Sequence, residues 1–185
     1  SDLERVLKEL RELVRRHHEL NKDIIRRARR LSEENEKDIK KLLDDARKLL
    51  EEVKRTLDRM EGKEEVDKLI EELERRLDKL TKRLEDSSRD VKRRLRELLK
   101  RSEESAREVK KTIRKLEKEL TERVRDKKKL DEARTELRKL EEEVDKSNKE
   151  LRDEVEKLER RNDELLERAR EEVERLKEEL RRKAT

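Results

Sequence analysis

Apolar residues recur along almost the whole chain at alternating steps of three and four. In the first third the stripe runs Leu3, Leu7, Leu10, Val14, His17, Asn21, Ile24, Ala28, Leu31, Asn35, Ile39, Leu42, Ala46, Leu49, Val53, Leu57, Met60. Such steps keep every member on one face of an α-helix. The stripe resumes from Val66 to Val124, through Leu73, Leu84, Ser88, Val91, Leu98, Ser102, Ser105 and Ile113. It resumes again from Leu130 to Leu180, through Val144, Asn148, Val155, Asn162 and Ala169. From Leu3 to Met60 the mean step is about 3.56 residues, between the 3.5 of a left-handed supercoil and the 3.6 of a straight helix.

Breaks in this pattern are few. Gly62 is the first helix stop, followed by Glu64 and Glu65, acids suited to a helix start. Arg125-Asp126-Lys127 marks the second, with Asp126 placed to cap a third helix. Ser1 and Glu4 have capping-box spacing. Helices are expected over about 2–61, 63–125 and 127–184, in one domain spanning 1–185. Connections this short force successive helices to run antiparallel. The fold predicted is all-α: a single-chain antiparallel up-down-up three-helix bundle, coiled-coil-like, elongated and nearly straight, each helix roughly 90 Å long.

Polar residues inside the stripe test that pairing. Facing residues of an antiparallel pair have residue numbers with a constant sum. Asn21 with Ser102 and Asn35 with Ser88 both give 123, which centres a turn at Glu61-Gly62. Ser102 with Asn148 and Ser88 with Asn162 both give 250, which centres a turn at Arg125. Two layers follow, Asn21/Ser102/Asn148 and Asn35/Ser88/Asn162, each with one polar residue per helix. His17, Ser105 and Ser147 fall near the first, Ser32 and Ser87 near the second. An Asn facing Leu strands buried donors and acceptors at about 1–3 kcal/mol for each group. Aligned layers satisfy one another, so slipped or reversed packings are penalised. Scattered seam imperfections are the alternative, and the matching sums argue against them. By the same arithmetic Glu141, Glu142 and Glu143 are expected level with Arg15 and Arg16, as weak exposed pairs that together favour one topology.

Composition sharpens the picture. Charged residues make up 61% and apolar ones 28%. So much charge accompanies disorder in chains that cannot bury enough apolar surface. Disorder, however, usually brings Pro and Gly, and here there is no Pro and one Gly. The apolar share is close to two positions in seven, the seam of a coiled coil. With no Cys, disulfides and thiolate chemistry are excluded. No apolar run exceeds two residues, so neither a membrane span nor a targeting signal is expected, and a soluble, cytoplasmic chain is. The absence of Phe, Tyr and Trp removes the usual parts for base stacking and aromatic pockets. There is also no Gln, which natural coiled coils use freely.

Each candidate for chemistry has a structural reading beside it. His17 and His18 are the only histidines. Adjacent helical residues point about 100° apart, so the two cannot chelate one metal, and no metal or other cofactor is expected. A Ser105, His17, Asp145 triad can be drawn at one level, but a close-packed seam offers no substrate pocket or oxyanion hole. No catalytic residue is assigned. Arg26, Arg27, Arg29 and Arg30 form the densest basic cluster. A net charge of only +5, with flanking acids, argues against specific nucleic-acid binding. An amphipathic membrane-surface helix would lack Trp and Phe and would press Asn and Ser into lipid.

Near-ideal heptads, a restricted alphabet, minimal loops and aligned Asn/Ser layers resemble a computationally designed helical bundle with buried hydrogen-bond networks. The resemblance is to a style rather than a motif and covers the whole chain. Spectrin-type repeats share the three-helix form but carry core Trp and shorter helices. The design resemblance implies a structural scaffold, a self-assembling or heteromeric bundle, or a switch. Of these the chain is read as a non-enzymatic structural scaffold, expected to be monomeric with no partner required. The alternative is an interaction module, one subunit of a homo- or hetero-oligomeric bundle. In it, pairs such as Val6-Leu7, Ile24-Ile25 and Leu49-Leu50 would dock a partner helix or a second copy.

Overall fold

A computed structural model of the chain describes residues 2–185. Ser1, and with it the cap expected from Ser1 and Glu4, lies outside the described residues. Three helices account for nearly everything: α1 Asp2–Arg59, α2 Lys63–Arg123 and α3 Lys127–Ala184. Leu, Glu, Lys and Arg, all good helix formers, fill them, and no Pro interrupts the backbone ladder. The three pack against one another as a three-helix bundle. The first and second helices end at Arg59 and Arg123, each two residues before the boundary read from the stripe.

The two connections are built differently. Beyond α1 the Met60 amide donates to the Leu57 carbonyl at 3.2 Å, a tightened last turn. The sequence makes Gly62 the expected stop of α1, yet no described glycine has a positive φ, so it does not cap that helix in the left-handed conformation. Its carbonyl instead accepts from the Val66 amide at 3.1 Å, which makes it the N-cap of α2. At the second connection the Asp126 carbonyl accepts from Leu130 at 3.0 Å. The Asp126 carboxylate accepts from the Lys128 and Lys129 amides at 3.1 and 3.4 Å. Asp126 is therefore the N-cap of α3.

The chain divides into two compact units, and the helices run on through both. The first takes the chain up to Arg29 together with Arg94–Lys157; the second takes Arg30–Arg93 and Leu158–Thr185. Each has its own core drawn from all three helices. In the first, Leu10, Ile113 and Leu137 are at most 1% exposed, within a cluster that includes Val14, Val109 and Val144. In the second, Leu50, Leu77, Val173 and Leu180 are at most 1% exposed, packed with Val53 and Ile70. Fully burying one such side chain contributes about 1.5–3 kcal/mol before conformational entropy is counted.

Where two neighbours compete for the seam in α1 and α2, the structure at four places chooses differently from the stripe. Ser32, Leu50, Leu99 and Ala106 are buried. Leu31, Leu49, Leu98 and Ser105 are only partly covered. A strict alternation of three and four slips against a true helical period, so an occasional extra step of four is needed to stay on the buried face.

Ion pairs between α1 and α3 follow one rule. In the first unit they join Arg11 to Glu136 and Arg29 to Glu154, both 125 residues apart. In the second, Glu36 pairs with Arg161 and Arg47 with Glu172, again 125 apart. The core offset is 127, as in Asn35 and Asn162. Each pair thus joins the residue after a core position on α1 to the residue before the matching position on α3. Two residues come off the offset because the partners approach the seam from opposite flanks. The expected pairing of Arg15 and Arg16 with Glu141–Glu143 does not form, because it applied the core offset to the flank. Arg15 and Arg16 pair with Glu12 in their own helix, and Glu141 pairs with Arg114 of α2.

Candidate functional site

Buried polar side chains collect at one level in each unit. In the first, α1 supplies His17 and Asn21, both 2% exposed, α2 supplies Ser102 and Ser105, and α3 supplies Ser147 and Asn148. Asn21 Nδ2 donates to Ser147 Oγ and to Asn148 Oδ1, both at 2.8 Å. Ser102 Oγ donates to Asn21 Oδ1 at 2.5 Å. His17 Nε2 lies 2.7 Å from Asn148 Oδ1, and His17 Nδ1 lies 2.8 Å from Ser105 Oγ.

Donor counting fixes the histidine tautomer. Asn148 Oδ1 only accepts, so the His17 proton sits on Nε2 and Nδ1 accepts from the Ser105 hydroxyl. Both Asn21 amide protons are already placed, so its 3.3 Å approach to His17 Nε2 is a contact between two donors. Ser147 Oγ takes one Asn21 proton and gives its own to His18 Nδ1 at 3.2 Å. All members are matched by the neutral imidazole. Burial pushes the His17 pKa down, opposed by the hydrogen bond to Asn148, with the neighbouring His18 adding a smaller push in the same direction.

The second layer is a simpler chain. Ser87 Oγ donates to Asn35 Oδ1 at 3.1 Å, and Asn35 Nδ2 donates to Asn162 Oδ1 at 2.7 Å. Asn162 Nδ2 then donates to Ser88 Oγ at 2.8 Å and reaches the Ser88 carbonyl at 3.2 Å. Ser32 is buried on α1 nearby in sequence. Every residue singled out for the two layers is thus placed. The sequence ranked two of them imperfectly: Ser147, expected beside the layer, is 7% exposed within it, whereas Asn148 is only partly buried. Adjacent residues on α3 straddle the seam, and both reach Asn21.

The chemical alternatives can now be placed. Asp145, the third member of the conceivable triad, is exposed and paired with Lys110. Asn148 occupies the position on His17 that the acid would need. A groove of about 570 Å³ runs beside the imidazoles, lined by Val14, Leu140 and Val144 among charged rims, but Ser105 is not part of its wall. Among the described residues no group of three His, Cys, Asp or Glu side chains could hold a metal ion. Of the basic cluster, Arg26 and Arg27 pair with Asp23, and Arg29 pairs with Glu154. No large hydrophobic side chain is exposed among the described residues. Among the described residues no helix is long and apolar enough to cross a membrane.

Against known proteins, the chain is similar in structure to a computationally designed three-helix bundle. The TM-score is 0.62 at 22% identity, over 99% of this chain and 87% of that one. The likeness establishes the three-helix-bundle fold. No family model matches the chain, and no curated protein sequence matches it either.

Proposed function

We propose that this chain is a designed, non-enzymatic structural scaffold that acts as a monomer, in which the two buried polar layers specify how its helices pair. One observation carries the reading. Each unit holds a layer drawn from all three helices whose donors and acceptors meet one another in a single register. A slip of one heptad would set Asn21 against Val155 and Asn35 against Ala169, leaving buried amides unmatched. The restricted alphabet and the likeness to a designed bundle support the same reading. No large hydrophobic side chain is exposed among the described residues, which supports the scaffold reading over the interaction module.

Disulfide trapping tests it, because the chain has no cysteine of its own. Arg11→Cys with Glu136→Cys reports the described register, and Arg11→Cys with Glu143→Cys reports a one-heptad slip. With both layers intact only the first pair should oxidise. With every layer Asn and His17 changed to Leu and every layer Ser to Ala, the second pair should also close. Exclusive closure of the first pair in the layerless chain would refute the role assigned to the layers.

A further inference from the structure

The two layers differ in one chemical respect: only the first contains a histidine, the side chain whose unperturbed form titrates near neutrality. The His17 ring is held by Ser105 of α2 and Asn148 of α3, with the Asn21 amide of α1 beside it, and no carboxylate contacts it. Charged groups stand further out, along the groove. From α1 these are Arg11 and Arg15, with His18; from α3 they are Glu136, Lys139, Glu143, Lys146 and Glu150; α2 contributes none to that wall. Arg11 is paired with Glu136 and Arg15 with Glu12, and Lys139 and Lys146 balance Glu143 and Glu150 along the wall, so no dominant negative field acts on the ring. The groove also brings solvent close to the imidazole, which supplies a route for the proton.

Protonation would change the layer in a defined way. Nε2 already carries its proton, so the new one goes to Nδ1 and faces the Ser105 oxygen, whose hydroxyl must then turn away. The ring gains a full charge at 2% exposure with only neutral partners. Unfolded or locally opened chain hydrates that charge freely. The layer of the second unit, made of Asn35, Ser87, Ser88 and Asn162, has nothing to protonate in this range.

We propose that the His17 layer is a proton-sensitive clasp, loosening the first unit in mild acid while the second keeps its closure. Burial already disfavours the charged imidazole, in agreement with this direction. The open state binds the proton more readily, so stability of the first unit is complete above the unfolded histidine pKa of about 6.5 and falls as pH drops below it.

Amide hydrogen exchange on the full chain tests the proposal, at about pH 7.5 and about pH 5, with rates corrected for intrinsic pH dependence. If the folded ring stays neutral throughout, protection in the first unit falls by up to about 30-fold between those conditions. Protection in Arg30–Arg93 and Leu158–Thr185 should hold. His17→Asn, which keeps a neutral polar group, should abolish the fall, and His18→Gln should leave it in place. An unchanged first unit, an equal fall in both units, or a fall that survives His17→Asn would overturn the proposal.

Discussion

Consider Asn162→Leu, a change that keeps side-chain size and removes the hub of the second layer. Asn162 is 2% exposed and Asn35 5% exposed, so water cannot take over the lost bonds. Asn35 Nδ2 loses its 2.7 Å acceptor, and Ser88 Oγ loses its 2.8 Å donor. The serine hydroxyl can turn to a carbonyl of its own helix, so the stranded Asn35 amide dominates, at about 1–3 kcal/mol. The new Leu returns about 1.5–3 kcal/mol of apolar burial, leaving the single variant near neutral or destabilised. Now replace the whole layer: Asn35→Leu, Ser87→Ala, Ser88→Ala, Asn162→Leu. The second Leu adds a similar burial term, and crowding two leucines costs about 1–3 kcal/mol, so those effects roughly cancel. What remains is relief of the stranded amide. The layer variant should therefore be more stable than Asn162→Leu alone by about 1–3 kcal/mol, although it carries more substitutions. Guanidinium melts followed by circular dichroism measure this, provided the slope matches the parent. A single variant as stable as the layer variant would mean that Asn35 is not stranded, and the buried-network argument would fail.

Smaller changes test the caps and the rim. Asp126→Ala should lower stability by about 1 kcal/mol in urea melts, since two α3 amides lose their acceptor; no change would mean that water replaces the cap. Gly62→Ser should raise it by about 0.5–1 kcal/mol, because φ is ordinary there and an added Cβ meets only the Glu65 side chain at 3.8 Å. A loss would show strain at that turn. The Arg161 hydrogen bond, partly offset by burial, holds the Glu36 carboxyl below its ordinary range. Its contribution is present above the unfolded carboxyl pKa of about 4.3 and is lost as pH falls through the folded one. Glu36→Gln should accordingly flatten the acid limb of a midpoint-versus-pH curve, by no more than about 1 kcal/mol, and an unaltered limb would leave the pair without a role.

Much of this was legible in the sequence because the helices are long and their period is clean. The three-helix class, the two turns and the meeting of Asn35 with Asn162 all followed from periodicity and constant sums. What could not be read was the rotation of each helix about its own axis. Leu49 and Leu50 are both apolar, and only a packed neighbour decides that Leu50 is the buried one. The same 100° ambiguity hid the depth of Ser147 relative to Asn148. Gly62 misled for a different reason: glycine suits both the end of one helix and the cap of the next, and composition does not say which. The rim failed because a flank contact does not share the offset of the core layer it borders.

That flank rule bears on which interactions can hold the register. Suppose α3 slips by one heptad against α1. Arg11 then meets Glu143, Glu36 meets Arg168 and Arg47 meets Glu179, so three of the four named pairs keep their attraction, while Arg29 meets Arg161 and repels. After two heptads Arg11 meets Glu150 and Glu36 meets Arg175, which again attract. Such pairs contribute about 0–1 kcal/mol each even when intact, so the rim barely distinguishes these alternatives. The buried layers do. One heptad breaks both; two heptads bring Asn21 to Asn162 but press Asn35 against Leu176 and Asn148 against Leu7. The rim pairs carry no such penalty, so the register rests on the buried amides, of which either slip strands at least two.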